Sequence, residues 1–257
     1  MLSPNQVSRF ETLGFLVIPQ LFSPQEISAI TKEADAVWES TQGRATDPGH
    51  TEEGKQIFGF VERNPLLTSL PADDRIFGAV EQLLGPDFLY LASDGNIWAG
   101  DTVWHSDDNI RPGYKRVKVA LYLDPLTQEN GCLRVIPGSH RHPMHGDLDL
   151  ACKENLSDPL GIPSVEFPSF PVETNPGDVL MFCHDIFHAS FGSPQIRRQI
   201  ALNFFAKPEG EHISKWVRAL YSDIRDMSDE KTAAAFLNNP NPNIQKFTSG
   251  LKKLGIK

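Results

Sequence analysis

Apolar positions recur at helical spacing in the first third of the chain and at a period of two through its middle. Ser23-Pro24-Gln25-Glu26 predicts a helix start. Serine caps, proline fits the first turn, and glutamate three residues on completes a capping box. Ile27, Ile30, Ala34, Val37 and Trp38 then mark one apolar face. A second helix is predicted from Asp73, with Ile76, Val80, Leu83 and Leu84 as its stripe and Gly85-Pro86 as its stop. From Phe88 the period changes. Val117, Val119, Leu121 and Leu123 alternate with Lys118, Ala120 and Tyr122, as on a strand with two different faces. Short apolar runs (Phe88–Ala92, Cys132–Ile136, Val179–Phe182, Ile200–Ala206) are separated by Asn130-Gly131, Pro137-Gly138 and Asn175-Pro176-Gly177. Helical spacing returns over Ile213–Ile224 and again from Ser228-Asp229-Glu230.

This order predicts a mainly β protein with flanking helices, an antiparallel sandwich or jelly roll. A helical part over 1–87, a β core over 88–207 and a helical tail over 208–257 are expected to form one domain.

Composition narrows the function classes. The 257 residues carry 24 Lys+Arg and 33 Asp+Glu, a net charge of −9. That balance argues against a phosphate-backbone partner. No apolar run reaches the ~18 residues a membrane span needs, and no secretory signal is evident at the N-terminus. Three cysteines without a Cys-x-x-Cys pair suit a reducing, cytoplasmic setting. No nucleic acid, membrane or protein partner is implied.

The main chemical signal is Trp104-His105-Ser106-Asp107. On a strand, residues two apart share a face. An imidazole and a carboxylate so placed, joined by one further histidine, make a facial triad with three open positions on a six-coordinate ferrous ion. A second His-x-Asp, His145-Gly146-Asp147, lies in a polar stretch that Gly146 weakens as a strand. His140-Arg141-His142 offers a cupin-like alternative pair. The third ligand is expected after Gly177-Asp178, at His184 or His188, which differ by four and share a face on an extended strand. Arg197 and Arg198 follow and open the next strand. An arginine fork there suits the far carboxylate of a dicarboxylic cosubstrate. Trp98, Trp104, Tyr122 and Phe187 flank the site as candidate lining. Lys118, if it points inward, is placed to meet a substrate carboxylate or phosphate.

Four stretches in this order resemble the phytanoyl-CoA dioxygenase family of ferrous, 2-oxoglutarate-dependent oxygenases. They are Trp104–Asp107; Leu123-Asp124-Pro125 with Glu129–His140; Gly177–Phe182; and His188-Ala189-Ser190 followed by Arg198. Asn130-Gly131-Cys132-Leu133-Arg134-Val135-Ile136-Pro137-Gly138-Ser139-His140 is the most telling string. The resemblance, over about residues 6–207, implies a double-stranded β-helix. It implies iron(II) held by His105, Asp107 and His188, with His184 a bystander. It further implies 2-oxoglutarate held by Arg198 and Ser190, with Asn96 and Lys55 as weaker carry-overs. Dioxygen would be the other cosubstrate, and succinate and carbon dioxide the by-products. Because Asp107 keeps its carboxylate, hydroxylation of an unactivated C–H bond, or a desaturation or ring-forming variant, is expected rather than halogenation. Trp98, Trp104, Lys118 and Tyr122 are the expected substrate contacts. The alternatives are a cupin-like metalloenzyme using His140/His142, or a non-catalytic small-molecule-binding domain of the same fold. The segments Gly43–Gly54 and Arg141–Pro163 are candidate lids.

Overall fold

The computed structural model describes residues 1–42, 44–45, 54–107, 113–154, 161–192, 195–228 and 235–256. Most of the Gly43–Gly54 loop, the middle of Arg141–Pro163 and the start of the segment from Ser228 lie outside the described residues.

Three helices precede the β core: α1 (Pro4–Leu13), α2 (Pro24–Ser40) and α3 (Asp74–Leu84). α2 begins as its sequence predicts. Ser23 N donates to Glu26 Oε2 at 2.7 Å, and Glu26 N donates to Ser23 Oγ at 3.3 Å. These reciprocal bonds satisfy donors that a helix start leaves unpaired. Asp73 caps α3 through Arg75 N. Later helices are α4 (Met144–Glu154), α5 (Gly210–Met227) and α6 (Pro242–Lys253).

The strands are β1 (Phe15–Ile18), β2 (Arg44–Ala45), β3 (Gly54–Phe58), β4 (Leu89–Trp98), β5 (Thr102–His105), β6 (Arg116–Tyr122), β7 (Leu133–Val135), β8 (Phe170–Val172), β9 (Val179–Cys183), β10 (His188–Ser190) and β11 (Arg197–Phe205). They form a seven-stranded sheet, β1-β9-β6-β11-β4-β3-β2, and a four-stranded sheet, β5-β10-β7-β8. All strand pairs are antiparallel. The two sheets build the expected double-stranded β-helix. The N-terminal part is less purely helical than its periodicity predicts. Phe15-Leu16-Val17-Ile18 pairs with β9, and β3 extends the sheet beside β4.

The two-faced reading of β6 holds. Val117, Val119 and Leu121 join Ile200, Leu202 and Phe204 in the large core beneath α2 and α3. Ala120 and Tyr122 turn the other way and pack with Leu133, Val135 and Val172 of the small sheet. The turn into β9 is held by Asp178, whose carboxylate accepts from Gln20 N and Asn175 N, each at 2.8 Å. Gly177 has φ +100°, and a Cβ there would lie 2.6 Å from the Phe22 carbonyl oxygen, so glycine is required on both counts.

Candidate active site

Between the two sheets lies a cavity of about 290 Å³. Its small-sheet wall carries the proposed metal donors. The register sets His188 of β10 opposite His105 of β5, with ring centroids 4.2 Å apart. Asp107 follows β5, and its N–H donates to the His184 carbonyl at 3.0 Å. One donor atom from each of His105, Asp107 and His188 lies within 4.8 Å of the others.

Both imidazoles are oriented by their own backbones. His105 Nδ1 lies 2.8 Å from the Val103 carbonyl oxygen, and His188 Nδ1 lies 3.0 Å from that of Ile186. Each Nδ1 therefore carries the proton, which leaves Nε2 as the lone-pair donor. Burial drives the His188 imidazole down to about 3, so it stays neutral and able to ligate. Burial alone would raise the Asp107 carboxyl, but Lys118 and the neighbouring imidazoles hold it well below the usual carboxylate range. Two imidazole nitrogens and one anionic oxygen suit a divalent transition metal.

His184 sits behind Asp107, its Nδ1 3.9 Å from Asp107 Oδ2, and stacks edge-on against Phe205. Burial lowers it to about 3 as well. Among the described residues, His140, His142 and His145 belong to no group of three converging donors. His140 reaches the Glu11 carbonyl and His145 the Asp185 carbonyl. The polar stretch of His145-Gly146-Asp147 lies in the helix α4.

At the other end of the cavity stands an arginine, and it is Arg197. Its Nη1 donates to the Gly131 carbonyl at 2.8 Å and to Ser190 Oγ, and its Nη2 donates to the Gly100 carbonyl at 2.6 Å. Burial lowers the guanidinium pKa. The expectation that Arg198 faces the cavity is corrected. Arg198 Nη1 donates to both oxygens of Asp35 at 2.9 Å, and Nη2 to Asp124 Oδ1 at 2.7 Å, on the helix side of the sheet. Adjacent strand residues face opposite ways. Arg197 shares its face with Gln199, whereas Arg198 shares its face with the core residues Ile200 and Leu202.

Two other expected contacts are corrected by the same alternation. Lys55 turns away from the cavity and donates to the Trp38 carbonyl, while its neighbour Gln56 lines the wall. Trp104 is buried behind the metal donors. Its Nε1 donates to the Ser164 carbonyl at 2.9 Å, and its ring meets Phe167 and Phe191. Phe187 joins the same cluster. Asn96, Trp98, Lys118, Tyr122 and Ser190 do line the cavity. Asn96 Nδ2 donates to Gln199 Oε1 at 3.1 Å. Burial pushes the Tyr122 hydroxyl up to about 12, so it remains a neutral hydrogen-bonding group. Gln56, Asp94 and Gln199 complete the polar lining without having been singled out from sequence. Their parity with Asn96 and Arg197 was the available signal.

The donor set fits a metal and a dicarboxylate. Thr102 Oγ1 and Arg197 Nε are buried without hydrogen-bond partners, and both residues line the cavity. Buried polar atoms of this kind are uncommon in folded proteins. An anionic oxygen between His188 and Arg197 would satisfy them.

The sequence profile of the family described as phytanoyl-CoA dioxygenase (PhyH) matches residues 10–199. The chain belongs to this family. It is similar to the ectoine dioxygenases of Bordetella parapertussis, 29% identical over 154 residues, and of Stutzerimonas stutzeri, 30% identical over 150 residues. These matches cover 54% and 53% of this chain and 50% of each relative. The chain thus spans about half the length of the curated relatives it matches. Among solved structures it resembles the non-heme, alpha-ketoglutarate-dependent carbocyclase SnoK from nogalamycin biosynthesis, with TM-score 0.67 and 20% identity over 83% of this chain and 90% of that one. It also resembles EctD from S. alaskensis with 2-oxoglutarate and 5-hydroxyectoine, with TM-score 0.63 and 24% identity over 80% of this chain and 77% of that one. These likenesses establish the shared fold. Among the described residues no helix is long and apolar enough to cross a membrane.

Proposed function

We propose that the protein is a non-haem iron(II), 2-oxoglutarate-dependent dioxygenase that hydroxylates an unactivated C–H bond of a small molecule. The observation that carries this reading is the meeting of His105, Asp107 and His188 in the cavity that also holds Arg197. In the overall reaction, substrate C–H, dioxygen and 2-oxoglutarate give substrate C–OH, succinate and carbon dioxide. The iron, when bound, supplies the oxidising power that acid–base groups lack.

The protein's own residues supply placement. His105 Nε2, His188 Nε2 and Asp107 would hold the ion and would leave positions on it free for ligands. Arg197, with Ser190 beside it, receives the far carboxylate of 2-oxoglutarate. A guanidinium binds a carboxylate in a planar fork, and burial strengthens that pairing. Tyr122, Asn96 and Gln199 offer neutral hydrogen bonds along the floor and favour a small polar substrate. Walls from both sheets limit water around the reacting carbon.

Similarity to the ectoine dioxygenases places ectoine in a substrate panel beside amino acids, phosphonates, terpenoids and acyl thioesters. Oxygen uptake matched one-to-one by succinate release, with iron and 2-oxoglutarate supplied, is the expected result for at least one compound. Absence of 2-oxoglutarate binding to the metal-loaded protein would defeat the reading and leave a non-catalytic binding domain.

A further inference from the structure

Lys118 is an anomaly on the inner face of β6. Its Nζ lies 2.9 Å from Asp107 Oδ2, and the two side chains are only 16% and 15% exposed. A buried ammonium is costly unless it is paired. Lys118 shares the inner face of β6 with Ala120 and Tyr122, and its Nζ lies 5.8 Å from the centre of the Phe182 ring. The pairing is also one-sided. Asp107 Oδ1 lies 3.7 Å from His188 Nε2, toward the other metal donors, while Oδ2 is turned to Lys118. Lys118 registers with Asn203 across β6 and β11, and Asn203 Nδ2 donates to Asp94 Oδ2 at 3.2 Å. Asp94 adds a second carboxylate near Lys118 on the same inner face.

Resting on the metal-site reading above, we propose that Lys118 is a positioning residue that restricts Asp107 to a single ligating oxygen by occupying the other. The consequence is one of coordination number. Three protein donors leave three positions on a six-coordinate ion. A 2-oxo acid chelating through two oxygens takes two of these. A carboxylate that ligated through both oxygens would take the last. Lys118 therefore keeps a reactive position open at the expense of metal affinity, because its charge competes with the ion for Asp107.

That trade gives an unusual signature. Lys118→Met removes the charge and keeps the length of the side chain. It should bind Mn²⁺ about tenfold more tightly by calorimetric titration, the scale of removing one close competing ion pair. Its turnover with iron and 2-oxoglutarate should fall by at least a similar factor. The Co²⁺-loaded variant should absorb visible light more weakly than Co²⁺-loaded wild type, as a rise in coordination number requires. Lys118→Arg should restore Mn²⁺ affinity toward the wild-type value. A well-folded Lys118→Met with unchanged or weaker Mn²⁺ affinity would overturn the proposal. If Lys118→Met does not fold, Lys118→Gln is judged by the same rule. Should His105→Ala bind Mn²⁺ as tightly as wild type, the metal-site reading itself fails, and this proposal with it.

Discussion

His188 and His105 are Cα partners across the β10–β5 pairing, with their rings 4.2 Å apart and each Nδ1 directed to a backbone carbonyl. The pairing sets both Nε2 atoms toward one point before any ion arrives. Preorganisation of this kind makes each imidazole irreplaceable. His105→Ala is expected to lower Mn²⁺ or Ni²⁺ affinity more than about 100-fold, beyond the 10–100-fold cost of losing an outer-shell partner. Succinate formation should fall to background. Calorimetric titration of the apo-protein checks the first outcome and coupled succinate detection the second.

The two adjacent arginines make an internal control. Arg197→Met should raise the KM for 2-oxoglutarate about 30-fold, the scale of roughly 2 kcal/mol for truncating one side of a buried charge pair. Arg198→Met removes the pairs to Asp35 and Asp124 on the helix side. It should lower stability by about 1 kcal/mol and leave that KM in place. Steady-state titration of 2-oxoglutarate with both variants decides between them. A raised KM in Arg198→Met alone would reverse the assignment.

This contrast also shows what was legible in the sequence. Hydrophobic periodicity located α2, α3 and β6, and turn residues bounded the strands, because burial on one face leaves a regular trace. The His-x-Asp spacing was readable for the same reason. The resemblance placed the arginine at Arg198. An even separation on a strand means a shared face, so Arg198 faces the core with Ile200 and Leu202 and not the cavity. Lys55 and Trp104 failed by the same parity, next to Gln56 and His105. The third ligand stayed open between His184 and His188 for another reason. β9 ends at Cys183 and β10 begins at His188, so the intervening turn breaks the period that a shared strand would give. The Lys118–Asp107 pair joins two elements through tertiary packing and had no local trace.

Glu62 gives a prediction on pH. Its carboxylate is half-buried, accepts from Tyr90 Oη at 2.7 Å and from Ser93 Oγ at 2.5 Å, and desolvation raises its pKa. A group held more strongly protonated in the folded state contributes its full stability below the unfolded pKa. It loses that contribution as pH rises through the folded pKa. Glu62→Gln carries no such proton. Its melting temperature relative to wild type should therefore climb between pH 4.5 and 8, by about 2–4 °C for each kcal/mol involved. Asp94 shifts in the same direction but is present in both proteins, so the difference isolates Glu62. A difference that is flat across this range would show that Glu62 ionises as readily folded as unfolded.

Gly95 ties the core to the cavity. It lies on β4 between Asp94 and Asn96, both of which line the cavity, but it faces the helices. A Cβ there would sit 2.0 Å from Cδ2 of Phe60. Phe60 is fully buried, with its ring 4.6 Å from that of Trp38, so it has no free space to retreat into. Gly95→Ala should destabilise by about 1–3 kcal/mol or more, the usual range for overpacking, read as a lower denaturation midpoint in urea. Movement of β4 would also displace Asn96 from Gln199, so 2-oxoglutarate or substrate affinity should fall together with stability. Adding Phe60→Leu to Gly95→Ala trims the obstructing ring and should recover part of both losses. The coupling between the two substitutions is the decisive quantity. Additive losses would mean that the glycine is needed for something other than room for Phe60.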